Sequence, residues 1–189
     1  IMLAARLRET FAITGLNTGQ AQRFRDKELM KQALDAAGIR TPRHVAAQTV
    51  AAVWEAAQFI GFPIILKPID GAGSADTYRV NDANELRAVL PRLRHVQSVS
   101  VEEFVEGEEY TFDTVCANGQ ILYENIAWYR PKPIVGRNVE WISMQTVNLR
   151  DIEGPELARG RELGRRVIEA LKFDTGFTHM EWFLTPSGE

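Results

Sequence analysis

The sequence has 189 residues, of which 45% are hydrophobic and 25% charged, the ordinary balance of a globular protein. The 22 Lys and Arg and 25 Asp and Glu residues give a net charge of −3, which argues against a general binder of nucleic acid or anionic membranes. The single cysteine, Cys116, excludes an internal disulfide framework, and no apolar run approaches the ~18 to 20 residues of a membrane span, so we expect a cytoplasmic protein.

Local signals predict alternating helices and strands up to about residue 98. Residues that cap helices precede runs with apolar side chains at three- and four-residue spacing, and glycines follow several of these runs. The expected elements are a helical lead-in over residues 1–22, a helix capped by Asp26 and stopped by Gly38, a strand at His44–Ala47, a helix from Thr49 to Gly61, a buried strand at Phe62–Lys67, a strand at Thr77–Val80, and a helix opened by Asp82 with Glu85 and ended near Pro91.

From Val99 the pattern favours strands, and Asn118-Gly119 between two apolar runs is a strong hairpin signal. The expected elements are strands at Val99–Phe104, Glu109–Cys116, Ile121–Trp128, Asn138–Val147 and Thr178–Leu184, and a long amphipathic helix at Pro155–Lys172. Basic residues cluster on that helix among glutamates, which predicts a solvated face; they are Arg159, Arg161, Arg165 and Arg166. Together these elements predict an α+β fold, with a small lobe followed by a larger sheet lobe.

The first candidate site is Lys67 with the glycine-containing loop after it. A lysine that closes a buried strand keeps its stem in the core and its ammonium at the exit. The following Asp70-Gly71-Ala72-Gly73-Ser74 lets backbone N–H groups approach an anion closely, because glycine has no Cβ. A phosphate cradle fits this pattern, and so does an ordinary turn with a surface lysine.

The second candidate is Lys27 at the start of its helix. There it adds a cation, and the N–H groups of the helix start also favour anions. A solvated lysine is the alternative interpretation.

The third candidate is the acidic stretch from Val101 to Tyr110. An apolar strand that runs into a hinge offers backbone donors and acceptors of the kind an adenine edge needs. A carboxylate beyond the hinge can accept hydrogen bonds from ribose hydroxyls. An acidic surface hairpin explains the same residues.

The fourth candidate is Glu181, which alternation places on one face of the last strand with His179 and Phe183, opposite Met180 and Trp182. A carboxylate is a hard oxygen ligand that suits Mg²⁺. A solvent-facing polar stripe is the alternative.

The order and spacing of four blocks resemble the ATP-grasp superfamily, in particular its branch of carbamoyl-phosphate synthetases, biotin carboxylases and amino-acid ligases. The blocks are FRDKELMKQALDAAGIRTP from Phe24, FPIILKPIDGAGS from Phe62, VEEFVEGEEYTFD from Val101 and HMEWFLTPSGE from His179. The resemblance covers the chain after residue 22. It implies two α+β lobes that grip a nucleotide between them, the smaller at residues 23–98 and the larger at 99–189.

The resemblance also implies a role for individual residues. Lys27 and Lys67 resemble the two phosphate-contacting, catalytic lysines, and Gly71, Gly73 and Ser74 belong to the loop that closes over the phosphates. Glu102, Glu103, Phe104 and Val105 resemble the hinge that reads adenine through its backbone. Glu109 resembles the ribose carboxylate, and Glu181 resembles the first ligand of Mg²⁺, which Mn²⁺ could replace.

Some parts of the family pattern are missing or different. We expect an α/β domain before residue 23, and a strand after Ser187-Gly188 that carries a second metal carboxylate and an Asn. The glycine loop is shorter than in biotin carboxylase. The stretch Trp128–Val139 matches no known block, although Lys132 or Arg137 could reach an acyl phosphate or a substrate.

The implied activity is ATP-dependent ligation, in which a carboxylate is activated as an acyl phosphate and attacked by an amine or similar nucleophile. The implied partners are these small molecules, with no nucleic acid and no membrane, and a homodimer is compatible with the family. We expect residues 1–189 alone to be inactive. The alternatives are a non-catalytic ATP-binding module for regulation or assembly, and a purely structural domain that ATP does not stabilise.

Overall fold

A computed structural model of the chain describes residues 1–70, 76–136, 139 and 141–188. Unit 1 comprises Ile1–Arg40, Glu106–Lys132 and Ser143–Glu189, and unit 2 comprises Thr41–Val105 and Pro133–Ile142. The helices are α1 (Met2–Phe11), α2 (Thr18–Arg25), α3 (Lys27–Ala36), α4 (Val50–Ile60), α5 (Ala83–Val89), α6 (Pro133–Gly136) and α7 (Pro155–Ala170), with a 3₁₀ turn at Leu90–Leu93. The strands are β1 (His44–Ala47), β2 (Ile64–Pro68), β3 (Tyr78–Val80), β4 (Val99–Glu103), β5 (Glu108–Ala117), β6 (Gln120–Arg130), β7 (Gln145–Asn148) and β8 (Gly176–Leu184).

Unit 2 is built on a four-stranded antiparallel sheet in the order β1-β4-β2-β3. One face of this sheet packs against α4 and α5. The buried core there contains Val53, Ala56, Ala57, Ile60, Ile64, Leu66, Val80, Leu86, Val99 and Val101. Because side chains alternate along a strand, Lys67 and Glu102 lie on the opposite face.

Helices α4 and α5 of unit 2 begin where the sequence predicts, whereas the short helix α6 lies in a stretch for which no helix is predicted. The Thr49 hydroxyl accepts a hydrogen bond from the Ala52 amide in the first turn of α4, at 3.1 Å. Helix α4 ends before Gly61, whose φ is +86°. The Asp82 carboxylate caps α5. The Glu85 carboxylate accepts from the Asn81 amide at 2.8 Å, one residue earlier than a capping box requires.

Unit 1 is built on a second antiparallel sheet, in the order β7-β6-β5-β8. The predicted Asn118-Gly119 hairpin joins β5 and β6, and both of its residues have positive φ. Helix α7 lies so close to this sheet that a Cβ on Gly160 would overlap the Trp182 ring, and a Cβ on Gly164 would overlap the Phe112 ring. The two glycines therefore set how closely α7 packs on β5 and β8.

Helix α3 packs against α7 in a small apolar cluster of Leu34, Ile39, Val167 and Leu171. The single lead-in expected over residues 1–22 is divided into α1 and α2. Asn17 and Gln20 form a reciprocal capping box that starts α2. Within the described part of the chain, no helix has both the length and the apolar character needed to cross a bilayer.

The predicted solvated face of α7 is wrong for Arg161. Arg161 and Arg165 both bind the Glu124 carboxylate of β6, with N···O distances of 2.8 and 2.7 Å, and the Arg161 and Glu124 side chains are each 14% exposed. Burial raises the pKa of Glu124, but hydrogen bonds from Arg165 and Arg161 outweigh burial, so this pKa lies below its ordinary value. These contacts attach α7 to β6.

The predicted strand at Asn138–Val147 is also wrong in its bounds, since pairing begins only at Gln145, where β7 meets the end of β6. Residues 137, 138 and 140 lie outside the described part. The lobe bounds at 23–98 and 99–189 stay a prediction. Backbone contacts group the chain differently, because β4 pairs with β1 and β2 in unit 2 while α3 belongs to unit 1.

Candidate functional site

The face of the unit 2 sheet opposite α4 and α5 carries an ion pair between Lys67 on β2 and Glu102 on β4. The Lys67 Nζ lies 2.8 Å from Glu102 Oε2, and the two side chains are 26% and 5% exposed. The Lys67 side chain is therefore mostly held by the sheet, while about a quarter of it still reaches solvent. An ammonium has three N–H donors, so one bond to Glu102 leaves capacity for a further anion.

The loop predicted to complete the phosphate cradle begins three residues after Lys67. Its candidate residues, Gly71, Gly73 and Ser74, lie outside the described residues. The structure thus describes Lys67, which precedes this loop in the sequence, and does not describe the glycine residues of the loop.

The predicted adenine hinge leaves β4 at Glu103. The Glu103 amide donates to the Arg43 carbonyl at 2.8 Å, and the Phe104 amide donates to the Pro63 carbonyl at 3.2 Å. Because β4 is a central strand, its neighbours already use these two amides. Of the four hinge candidates, Val105 follows this paired stretch and is half-buried.

Side-chain contacts further fix the hinge within unit 2. The Arg43 amide donates to Glu103 Oε2 at 3.0 Å. The Arg79 guanidinium lies 4.0 Å from the centre of the Phe104 ring. Phe104 and Glu103 are therefore held in place before the chain enters unit 1.

Lys27 is the first residue of α3 and is half-buried. The expectation that this helix start offers free amides to an anion needs correction. The Asp26 carboxylate already accepts from the Glu28 and Leu29 amides, at 2.9 and 3.1 Å, and adds a negative charge there. Lys27 itself is thus the cationic element at this position.

The face of the unit 1 sheet opposite α7 carries a row of polar side chains. Glu109 of β5 is 8% exposed and pairs with Phe183 of β8, and the next residue on the same face, Thr111, pairs with Glu181. Glu109 and Glu181 are thus diagonal cross-strand neighbours, at a typical spacing of about 7–8 Å. The register brings the predicted ribose carboxylate and the predicted metal carboxylate onto one face.

A hydrogen-bond network adjoins Glu181 on this face. Thr111 Oγ1 donates to Asp113 Oδ2 at 2.7 Å, and the other Asp113 oxygen lies 2.6 Å from His179 Nδ1. The Tyr129 hydroxyl lies 3.2 Å from His179 Nε2. The sequence placed His179 beside Glu181 but missed Asp113 and Tyr129, because only the register of β5, β6 and β8 brings them together.

Glu181 fits one position of a magnesium site. It is exposed on the polar face, and Mg²⁺ accepts one or two carboxylates with phosphate oxygens and waters as its other ligands. No three His, Cys, Asp or Glu side chains come together as a metal cluster among the residues that the structure describes. Glu181 could therefore contribute one bond to a metal that a phosphate also holds.

The unassigned stretch after Trp128 contacts the start of β5. Trp128 Nε1 donates to Glu108 Oε2 at 3.2 Å, Arg130 lies 3.0 Å from the same oxygen, and Lys132 Nζ donates to the Gly107 carbonyl at 2.5 Å. The hydrogen bond from Trp128 lowers the pKa of Glu108, and the charges of Lys132 and Arg130 lower it further. Arg137, the other cation suggested for substrate contact, lies outside the described residues.

Comparison with known families gives one domain match. Residues 24–127, more than half of the chain, match the ATP-grasp domain family. This range includes β1 to β5 and most of β6, and it contains Lys27, Lys67, Glu102 and Glu109.

The curated relatives include two ligases and a synthase. The L-arginine-specific L-amino acid ligase of Bacillus subtilis is 28% identical over an alignment of 196 positions, which covers 100% of this chain and 46% of that protein. The N-terminal section of the carbamoyl phosphate synthase large chain of Aquifex aeolicus is 27% identical and covers 92% of this chain and 32% of that protein. The D-alanine–D-alanine ligase of Pseudomonas putida is 34% identical over 98 residues, 51% of this chain and 30% of that protein. The chain thus spans less than half the length of these relatives.

Solved structures share the fold. The L-amino acid ligase of Bacillus licheniformis superposes with a TM-score of 0.74 at 19% identity, over 97% of this chain and 43% of that one. The D-alanine–D-alanine ligase of Bacillus anthracis, solved with ATP, superposes with a TM-score of 0.76 at 21% identity, over 97% and 59% of the two chains. At these identities the likeness concerns the fold alone.

Proposed function

Because this chain belongs to the ATP-grasp family, we propose that it carries the nucleotide site of a ligase that uses Mg·ATP to activate a carboxylate as an acyl phosphate. The observation that carries this proposal is the Lys67–Glu102 pair, with 2.8 Å between Nζ and Oε2 at the entrance to the glycine loop. A lysine anchored in this way has a fixed ammonium available for a phosphate.

The polar face of unit 1 supports the same function. Glu109 is proposed to accept hydrogen bonds from the ribose hydroxyls, and Glu181 to hold Mg²⁺ on the outer phosphates. Their diagonal positions on β5 and β8 suit a single ligand that contacts both. Val105 is proposed to contact the adenine edge through its backbone.

The chemistry asks little covalent help from the protein. The γ-phosphoryl group moves to a carboxylate oxygen as its bond to the bridging β–γ oxygen breaks, and Lys67 and Lys27 stabilise the negative charge on the phosphates. Mg²⁺, when bound, supplies further neutralisation. An amine then attacks the acyl carbon, phosphate leaves with the former carboxylate oxygen, and the amine loses a proton.

We propose small molecules as both substrates, since the relatives named above include ligases for amino acids. The chain covers 46% of the first of these relatives. We therefore also propose that residues 1–189 alone give no turnover, because the rest of the acceptor and metal sites would lie elsewhere. ADP release by residues 1–189 alone would contradict this.

The test is a thermal-shift measurement of the full-length protein with Mg·ATP. At a ligand concentration near 100 times Kd, binding should add about 2.7 kcal/mol to the free energy of unfolding. We expect Lys67→Met to lose this stabilisation, and Lys172→Met, at an exposed lysine, to keep it. Each shift is taken relative to the same variant without nucleotide.

A double variant shows whether Lys67→Met loses nucleotide binding because the ammonium is missing or because the fold is damaged. Lys67→Met leaves the Glu102 carboxylate buried beside an apolar side chain, whereas Lys67→Met with Glu102→Gln removes both charges. Absence of any nucleotide shift in the wild type would contradict the proposal. A shift without carboxylate-dependent ADP release would favour a non-catalytic ATP-binding module.

A further inference from the structure

The start of β5 is paired on one side only. Glu108 and Glu109 pair with Leu184 and Phe183 of β8, but the pairing of β5 with β6 begins one residue later, at Tyr110. A strand end with one ladder has fewer backbone hydrogen bonds to hold it. On the face opposite α7 this end carries Glu109, which is 8% exposed and is the proposed ribose carboxylate.

Side chains from the end of β6 and from the residues just after it contact this end of β5. Trp128 and Arg130 both bind the Glu108 carboxylate, and Lys132 Nζ donates to the Gly107 carbonyl and lies 3.8 Å from Glu108 Oε1. The Arg130 guanidinium also lies 3.1 Å from the centre of the Trp128 ring, and this cation–π contact joins the two side chains to each other. We call these contacts of Trp128, Arg130 and Lys132 with Gly107 and Glu108 the β5 clamp.

The end of β8 also lies close to this segment. A Cβ on Gly107 would lie 2.6 Å from the Leu184 carbonyl oxygen at the end of β8. Gly107 therefore has two close neighbours, the β8 backbone and the Lys132 ammonium. A shift of Gly107 in either direction would move Glu109, two residues further along the strand.

We propose that Lys132 is a positioning residue, which acts through Gly107 and Glu108 to present Glu109 to the ribose hydroxyls of ATP. This inference rests on the proposed function, because it takes Glu109 as the ribose ligand. It assigns the Lys132 ammonium a structural bond to the Gly107 carbonyl in place of the substrate contact considered from the sequence.

The test compares the affinities of the full-length protein for ATP and for 2′,3′-dideoxy-ATP by calorimetry. Hydrogen bonds from hydroxyls to a charged carboxylate should make the wild type prefer ATP by about 10- to 100-fold. We expect Glu109→Gln to lose most of this preference. Lys132→Met should reduce it at least about 3-fold with the affinity for dideoxy-ATP unchanged, Lys132→Arg should restore it, and Lys172→Met should not alter it.

The outcomes distinguish a failure of the positioning role of Lys132 from a failure of the proposed ATP-binding function. If the wild type binds neither nucleotide, the proposed function and the inference both fail. If it binds ATP and Lys132→Met keeps the full preference, the inference alone fails. An equal loss of affinity for both nucleotides in Lys132→Met would place Lys132 on the phosphates and would also overturn the positioning role.

Discussion

Lys67 and Glu102 stand on adjacent strands with 2.8 Å between their charged atoms, and the carboxylate is the more deeply buried of the two. A buried charge that loses its partner keeps its desolvation cost. The pair thus links the stability of unit 2 to the residue proposed to contact phosphate.

Replacing Lys67 with Met should lower the free energy of unfolding by about 2–3 kcal/mol, less than a fully buried pair because the lysine is partly exposed. The double variant with Glu102→Gln should recover part of this loss, since no charge stays buried. Urea unfolding of the wild type, the two single variants and the double variant measures the coupling free energy between Lys67 and Glu102. Strict additivity of the two single changes would show that the pair does not interact.

Replacing Gly164 with Ala should destabilise unit 1 by about 1–3 kcal/mol, because the added methyl group overlaps the buried Phe112 ring. The same substitution at Gly19, an exposed position in α2 where an added Cβ would meet only the Asn17 side chain at 3.5 Å, is the matched control. There, alanine should raise stability by about 0.5–1 kcal/mol. Equal effects at the two positions would contradict the close packing of α7.

The Glu124 carboxylate should make folding sensitive to acid. Its pKa in the folded protein lies below the ordinary value of 4.5, so its contribution to stability is present above about pH 4.5 and is lost as the pH falls through the lower, folded value. Glu124→Gln should cost about 1–3 kcal/mol at neutral pH, since two arginine bonds lose their charged acceptor.

The check is unfolding by urea at about pH 7 and about pH 3.5 for wild type, Glu124→Gln and the exposed control Glu162→Gln. The gap between wild type and Glu124→Gln should narrow at the lower pH. A gap of constant size would mean that the effect of the substitution does not come from the charge of Glu124.

Replacing Glu181 with Gln should raise the Mg²⁺ concentration needed for half-maximal ATP binding by about 10-fold or more, because an amide oxygen is a weaker ligand than a carboxylate. Titration of Mg²⁺ at fixed ATP, followed by thermal shift, measures this. The unfolding temperature without nucleotide should change little, as Glu181 is exposed. An unchanged Mg²⁺ midpoint would remove Glu181 from the metal site.

Local signals in the sequence were sufficient for much of the secondary structure. Asp26 and Thr49 cap helices where predicted, and Asn118-Gly119 forms the β5–β6 hairpin. The two faces of β8 are also as expected, with Trp182 buried and Glu181 exposed. Caps, turns and alternation depend on residues only a few positions apart, so the sequence by itself determines them.

The fold class and the ATP-grasp family were likewise accessible from the order of four sequence blocks, and the domain match and the shared fold confirm both. The proposed roles of Lys27, Lys67, Glu109 and Glu181 stay predictions for the experiments above.

Only the tertiary structure decided which side chains meet across strands. The pairing of Lys67 with Glu102, the link from Asp113 through His179 to Tyr129, and the β5 clamp each join segments far apart in the chain. Each contact depends on strand order and register, and a shift of one residue would turn these side chains to the other face. The Asn118-Gly119 turn also fixes the register of β5 on β6, but the register between strands that no tight turn joins is set by the packing of whole sheets on α4, α5 and α7, a property that no short stretch of sequence contains.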